Sequence, residues 1–406
     1  MTSTVNPTRV NRAGLTGVLV LLFATGWGAN HFAAMIPVLH DRETLSPTVL
    51  NGAFGIYAVG LLPGLLFGGG LSDRIGRRPV VLPGAAVAGL GNLLMLGWHQ
   101  EHGVYAGRLV VGMGAGLAIG AGTAWAADLG GKAGAVLAGV ALSSGFALGP
   151  LISGLLATFV ASPLTVPFAA TGVVSVTLVV IALTASSTPS AIPPQSAPPG
   201  SASGPVGTGI ALLFSLPMAL WVFASVTLPL VVLTQNLDER YRGPLSAGVA
   251  AVVALGSGVL AQFAGRRFGW GPRAGVMGAI LAAAGFGVTA VTGLSHSPLG
   301  SIGIAVVLGV AYGLCLRDGL IDVETMAPPR ARGALTGVFY VFAYLGFGLP
   351  VLLTFLGPRG GVAVPLTLLA AAALVVAVHR AMGHPGIPAR WPARWPAGHL
   401  PHRDPR

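Results

Sequence analysis

The residues that could do chemistry in this chain are few, and most of them carry charge. Two runs share a pattern: GGLSDRIGRR, Gly69 to Arg78, and GVLAQFAGRR, Gly258 to Arg267. Both place Gly, Leu and a closing Gly-Arg-Arg at identical spacing, so the chain contains an internal duplication. In the first run the Asp73 carboxylate can pair with Arg74, Arg77 or Arg78, or cap a neighbouring helix N-terminus. The three arginines can also reach Asp128 or helix C-termini. A cluster of this kind can hold one of two packings of a molecule, which is the work of a gate; otherwise the arginines serve only to fix orientation. Gly69, Gly70 and Gly76 would let helices approach and the chain turn.

A second group of charges lies within apolar surroundings. Asp318 and Asp322 share a helix face at i, i+4, between Arg317 and Glu324. They suit a proton relay or a contact with Arg330 or Arg332; if their helix stops near Leu316 they are solvated loop charges instead. His31, beside Asn30, titrates near neutral pH and can take a proton or simply pack between helices. Arg108 stands about one and a half turns into an apolar run, and Thr227, Gln235 and Asn236 are polar candidates in the second half, the last two in a helix or in the outer loop. There is no HExxH, nucleotide-binding loop or metal-ligand cluster, so neither catalysis nor a cofactor, metal or direct use of ATP is expected.

The elements that must position these residues follow from composition. Of 406 residues, 53% are hydrophobic and 8% charged, and the mean hydropathy is +0.80. Soluble domains carry about 25% charged residues, so the class of soluble enzymes and nucleic-acid binders is excluded. The 62 glycines lie mostly inside apolar runs, which suits membrane helices packed through small residues. Strand-like alternation is too rare for a β-barrel. The single cysteine, Cys315, can form no intramolecular disulfide.

Runs of about 20 apolar residues, the length needed to span a bilayer, occur near 13–36, 47–69, 79–98, 103–127, 133–158 and 164–185. Six more follow near 209–234, 245–265, 273–294, 299–326, 333–357 and 361–380. The sequence therefore predicts an all-α membrane protein with a tail (1–12), a six-helix bundle (13–185), a Pro/Ser/Gly linker (186–208), a second six-helix bundle (209–380) and a basic tail (381–406). The first run is too long for a signal-peptide core and is read as an uncleaved helix. With both termini cytoplasmic, all but five of the 22 basic residues fall on the inner side; the exceptions are Arg42, Arg108, Arg240, Arg242 and Arg359. Five outer acids balance those five, so the net charge of +11 sits on the inner face and sets orientation.

GGLSDRIGRR resembles the cytoplasmic loop motif of the major facilitator superfamily, through Gly70, Asp73, Gly76, Arg77 and Arg78. The likeness covers essentially residues 10–380. RLVVGMGAG, Arg108 to Gly116, resembles the family's fourth-helix motif, with Val111 where relatives often have Gln. GFALGPLISG, with Gly145, Gly149, Pro150 and Gly154, resembles the fifth-helix Gly-Pro motif of proton antiporters that export compounds, with Ser153 at a usual Gly. GFGLP, ending at Pro350, is a shorter echo that would permit bending. The second copy has Gln262 at the position of Asp73, so Arg266 and Arg267 lack the equivalent carboxylate. The resemblance implies two pseudo-symmetric six-helix bundles with substrate bound between them, rocking to give alternating access. It implies that Arg108 faces the cavity and assists coupling; snorkelling of Arg108 to the outer headgroups is the other reading. From their own polarity, Asn30, His31 and Thr227 are further cavity candidates, and Asp318, Asp322 and His31 further coupling candidates. The function expected is proton-coupled export of a small drug or metabolite by a monomer in the cell membrane, with no nucleic-acid partner. An importer of a sugar-like or neutral metabolite, and a non-transporting sensor or assembly protein, are the alternatives.

Overall fold

The computed structural model describes residues 12–184, 207–328 and 331–385. The N-terminal tail with Arg9, the linker from 186 to 206, Arg330 and the basic tail from 386 onward lie outside the described residues. Within them, twelve helices are long and apolar enough to cross a membrane. These are α1 (Arg12–Glu43), α2 (Pro47–Ile75), α3 (Arg78–Gly97), α4 (Glu101–Gly131), α5 (Ala133–Phe159) and α6 (Thr165–Thr184). The second set is α7 (Thr208–Leu233), α8 (Pro244–Arg267), α9 (Arg273–Thr292), α10 (Pro298–Met326), α11 (Arg332–Gly357) and α12 (Ala363–Gly383). The shortest have 20 residues, about 30 Å at 1.5 Å per residue, which matches a hydrocarbon core.

The helix starts have local causes. Ser46 and Ser297 accept hydrogen bonds from the amides of Val49 and Gly300, and a proline follows each cap. Gly131, at φ +60°, breaks the chain between α4 and α5, where the left-handed region favours glycine. The observed bounds fall within a few residues of those expected, except that α1 continues past residue 36 to Glu43 and α2 past residue 69 to Ile75.

Three helices are irregular. His31 interrupts α1 between Asn30 and Phe32. A π segment, Leu228–Leu233, closes α7 and contains Pro229. A 3₁₀ turn, Leu345–Gly348, divides α11 just before Pro350. Proline removes a backbone donor and loosens the regular ladder. The α7 and α11 irregularities adjoin, since a side chain at Gly346 would strike the backbone of Phe223 and Ala224.

Each set of six packs mainly within itself. In lipid there is no hydrophobic gain from hiding one apolar face against another, so close backbone approach supplies the contact. Gly64 on α2 meets the backbone of Gly116 and Leu117 on α4, and in the second set Gly313 on α10 meets Gly258 on α8. The pairs α2–α4 and α8–α10 are thus equivalent, and the two bundles repeat one design. Exposed residues such as Phe67, Phe159 and Val291 form the lipid-facing exterior.

The bundles meet mainly at one end. There α5 packs on α8, with Gly154 against Pro244 and Leu151 against Gly248. Asn51 donates to Thr354 at 2.8 Å and accepts from Gln235 at 3.0 Å, so α2, α7 and α11 are strapped together. Phe54 stacks on Phe347 with centroids 5.0 Å apart. Toward the opposite end α2 and α11 approach at Leu66 and Gly337.

Candidate functional site

Three polar assemblies lie on this frame. The first is built from the Asp73–Arg78 run, which the sequence places in a loop; Asp73 to Ile75 form the end of α2, Gly76 and Arg77 form the link, and Arg78 opens α3. The α2 helix ends at Gly76, whose φ of +98° turns the chain into α3. The turn brings Arg77 back to Asp73 at 2.5 Å and across to Asp128 of α4 at 2.8 Å, with a further bond to Ser72. Burial opposes the Arg77 charge, yet the Asp128 and Asp73 carboxylates outweigh it and hold its pKa above the ordinary arginine value. Arg78 donates to the carbonyls of Ala182 and Leu183 at the end of α6, where a helix dipole favours a cation. Arg74 is exposed. A side chain added at Gly69 or Gly70 would meet nothing within 4 Å, so helix packing does not require glycine at either, although a carbon added at Gly120 of α4 would lie 3.8 Å from the Gly69 backbone.

The second copy is arranged differently. α8 continues through Gly265 to Arg267, and Arg266 and Arg267 are exposed. Gly258 instead packs on Tyr312 and Gly309 of α10, and Gly265 lies against Arg317. Arg317 reaches over from α10 to the carbonyls of Gly265 and Trp270 and pairs with Asp318 at 2.5 Å.

From there a buried charge network continues, the second assembly. α10 runs to Met326, so Asp318 and Asp322 are buried while Glu324 is exposed. Of the two partners expected, Arg330 lies outside the described residues and Arg332 donates to Ala327 instead. The carboxylates meet Arg380 of α12, which holds Asp322 at 2.5 Å and lies 3.7 Å from Asp318. His384 reaches the other oxygen of Asp322 at 2.9 Å, and Gly275 of α9 donates its amide to Asp318 at 2.6 Å. Sequence reading counted Arg380 only as an orientation charge and missed His384; their i, i+4 spacing at the end of an apolar helix was the available signal.

The third assembly surrounds Arg108. Its side chain is fully buried, so in this conformation it reaches neither the outer surface nor an open cavity. It donates to the carbonyls of Ala29 at 2.8 Å and Ala53 at 3.3 Å. Its guanidinium also lies over the rings of Phe32 and Tyr57, at 4.7 and 4.5 Å. His31 is buried beside it, bonded to Asn92 at 2.9 Å and edge-on to Phe168. Asn30 donates to Phe146 of α5. Thr227 is buried and turns its hydroxyl to Phe223 of its own helix, so it offers none to a cavity. Tyr57, Asn92, Asn51 and the aromatic group Phe54, Phe223, Tyr344 and Phe347 were not singled out from sequence. Nothing local distinguishes them from other buried polar or aromatic residues.

The fifth-helix motif serves packing. Gly145 and Gly149 lie against the backbone of Phe23 and Trp27 in α1, and Gly154 against Pro244 of α8. α5 runs as helix through Pro150, whereas Pro350 sits directly after the 3₁₀ turn of α11. Between the bundles two cavities flank the Asn51 strap. One of about 110 Å³ is lined by His40, Asp41, Thr234 and Arg242, among others. The other, of about 380 Å³, has Asn51, Gln235, Asn236 and Thr354 on its wall.

Twelve apolar helices in two equivalent bundles, fastened to each other at one end and bearing charge clusters at the other, define a polytopic membrane protein with the architecture of a transporter. The chain belongs to the Major Facilitator Superfamily, which it matches over residues 18–350. It is 33% identical over 98 residues to the multidrug resistance protein MdtL of Klebsiella pneumoniae strain 342, a stretch covering 24% of each chain. MdtL of Shewanella oneidensis is also 33% identical over 98 residues, again 24% of each. The chain thus spans about a quarter of the length of the curated relatives it matches. Among solved structures, a POT family transporter in complex with a thioalcohol conjugated peptide superimposes with a TM-score of 0.73 at 14% identity, covering 90% of this chain and 95% of that one. A D-xylose-proton symporter gives 0.66 at 14% identity over 94% and 99%. At such identities these likenesses show the fold alone.

Proposed function

We propose that the chain is a proton-coupled exporter of small organic compounds that works by alternating access. The observation that carries this reading is the asymmetry of the contacts between bundles: polar strap, aromatic stack and glycine contacts gather at one end. A two-state transporter closed on one side has this form. The end bearing Asp73 and Arg77 is the cytoplasmic one, from the bias of basic residues, and the strapped end faces outward. Residues 13–185 and 209–380 act as the two rocking bodies in the cell membrane. Export rather than import is supported by the fifth-helix motif and by the name of the MdtL relatives. The buried carboxylates among the described residues are Asp318 and Asp322, so proton coupling falls to α10.

Everted membrane vesicles test the reading. An imposed gradient, acid inside the vesicle, is expected to drive uptake of a fluorescent or radiolabelled test drug, and dissipating the gradient to abolish it. Transport that ignores the gradient refutes proton coupling. The gate has its own test. Asp73→Asn is expected to slow transport roughly tenfold, equivalent to about 1.4 kcal/mol in the gating equilibrium. The Asp73 side chain is 60% exposed, so melting should change by less than about 1 kcal/mol. Unchanged transport by that variant would remove Asp73 from the gate.

A further inference from the structure

Two arginines are buried below 2% exposure, Arg108 and Arg380, and they are treated oppositely. Arg380 has carboxylates on it. Arg108 has two backbone carbonyls and two aromatic faces, and among the described residues no carboxylate within ion-pair distance. Its Nη2 has no hydrogen-bond partner, and the hydroxyl of Tyr57, the ring beneath the guanidinium, has none either. A guanidinium keeps its proton in a protein, so this charge cannot be shed on burial. Carbonyl dipoles and ring faces compensate it only partly. What remains is an N–H donor and an O–H donor, both buried and both on one guanidinium–ring stack, the arrangement that receives an anionic oxygen.

We infer that Arg108 and the Tyr57 hydroxyl form a binding site for a single negative charge, carried by the carboxylate of an aromatic substrate or by an inorganic anion. The site lies behind the seam of the bundles, because the Tyr57 ring contacts Phe347 of α11 at 5.9 Å. Phe347 also stacks on Phe54 and meets Phe223 edge-on at 5.2 Å. Separating the bundles parts Tyr57 from Phe347 and uncovers the guanidinium next to flat aromatic walls. A planar apolar body with one carboxylate matches both. The substrate arm of this inference rests on the transport reading above; the anion site itself does not.

The test uses the purified full chain in detergent, with melting followed through its seven tryptophans. The probes are sodium benzoate, its neutral isostere benzamide, and sodium chloride, at constant ionic strength. Benzoate or chloride is expected to raise the melting temperature while benzamide does not. Arg108→Gln is expected to weaken that response at least about tenfold, since the positive charge and its charge-assisted bond from Nη2 are lost. Should Arg108→Gln fail to fold, Tyr57→Phe, which removes only the hydroxyl, is expected to weaken it severalfold. A response to benzoate but not chloride assigns the charge to an organic substrate, and the reverse assigns it to an inorganic anion. Benzamide raising the melting temperature as much as benzoate, neither anion acting, or both variants responding like the natural chain overturns the site and leaves Arg108 a packing residue. Anion binding that persists without gradient-driven export would count against the transport reading alone.

Discussion

Asp322→Ala is expected to lower stability by about 3–5 kcal/mol, the usual cost of removing one partner from a buried ion pair. The carboxylate accepts from Arg380 on one oxygen and from both Arg380 and His384 on the other side of the group. All three residues are at most 5% exposed. Without it, Arg380 keeps a longer 3.7 Å approach to Asp318, which Arg317 already engages. The network joins α9, α10 and α12 with the residues just after α12, so its loss should loosen the whole end of the second bundle. Thermal melting in detergent measures the effect. Asp322→Leu combined with Arg380→Leu is expected to recover much of the loss, because two apolar residues leave no buried charge behind. A single variant that melts like the natural chain would show the network to be dispensable.

The second large effect is steric. Gly145→Leu is expected to prevent α1 and α5 from packing, with a loss of stability beyond the 1–3 kcal/mol or so typical of overpacking. Even a single added carbon at Gly145 would lie 3.0 Å from the carbonyl carbon of Phe23 and the nitrogen of Trp27. Those are backbone atoms and cannot swing aside. At Gly149 the same carbon would come within 2.8 Å of the Trp27 Cα, and the Trp27–Ser153 hydrogen bond one turn on would be strained. Gly139→Ala supplies the control: it has open space around it, and its replacement should be neutral or stabilising by up to about 1 kcal/mol. Membrane insertion yield and melting of the three proteins separate the outcomes. Equal behaviour of Gly145→Leu and Gly139→Ala would refute close packing of α1 on α5.

The contrast between Gly145 and Gly139, alike in sequence, marks how far residues can be read alone. Helix number, length and order were legible because each is a local property. A bilayer requires about 20 apolar residues per crossing, and that requirement is written into every run. The duplication and the run from Asp73 to Arg78 were legible for the same reason, since Gly76 ends α2 and turns Arg77 back onto a residue four positions earlier. Partners across helices were not. Asp322 finds Arg380 58 positions away, Asn51 finds Thr354 at 303, and Arg108 finds Ala29 at 79.

In a soluble helix the apolar stripe shows which face is inward. Here lipid-facing and protein-facing sides are both apolar, so the sequence carries no such label. The exposed Arg266 and the half-buried Arg77 end the same motif, yet only one has a carboxylate across from it. By itself the sequence determined how many helices cross the membrane, where they start and stop, and which end carries the charge. The tertiary structure alone decided the rotation of each helix about its axis. That rotation separates packing glycines from open ones and the buried Arg380, which meets carboxylates, from the buried Arg108, which does not, because in lipid it is set by backbone contact and polar pairing between helices rather than by hydrophobicity.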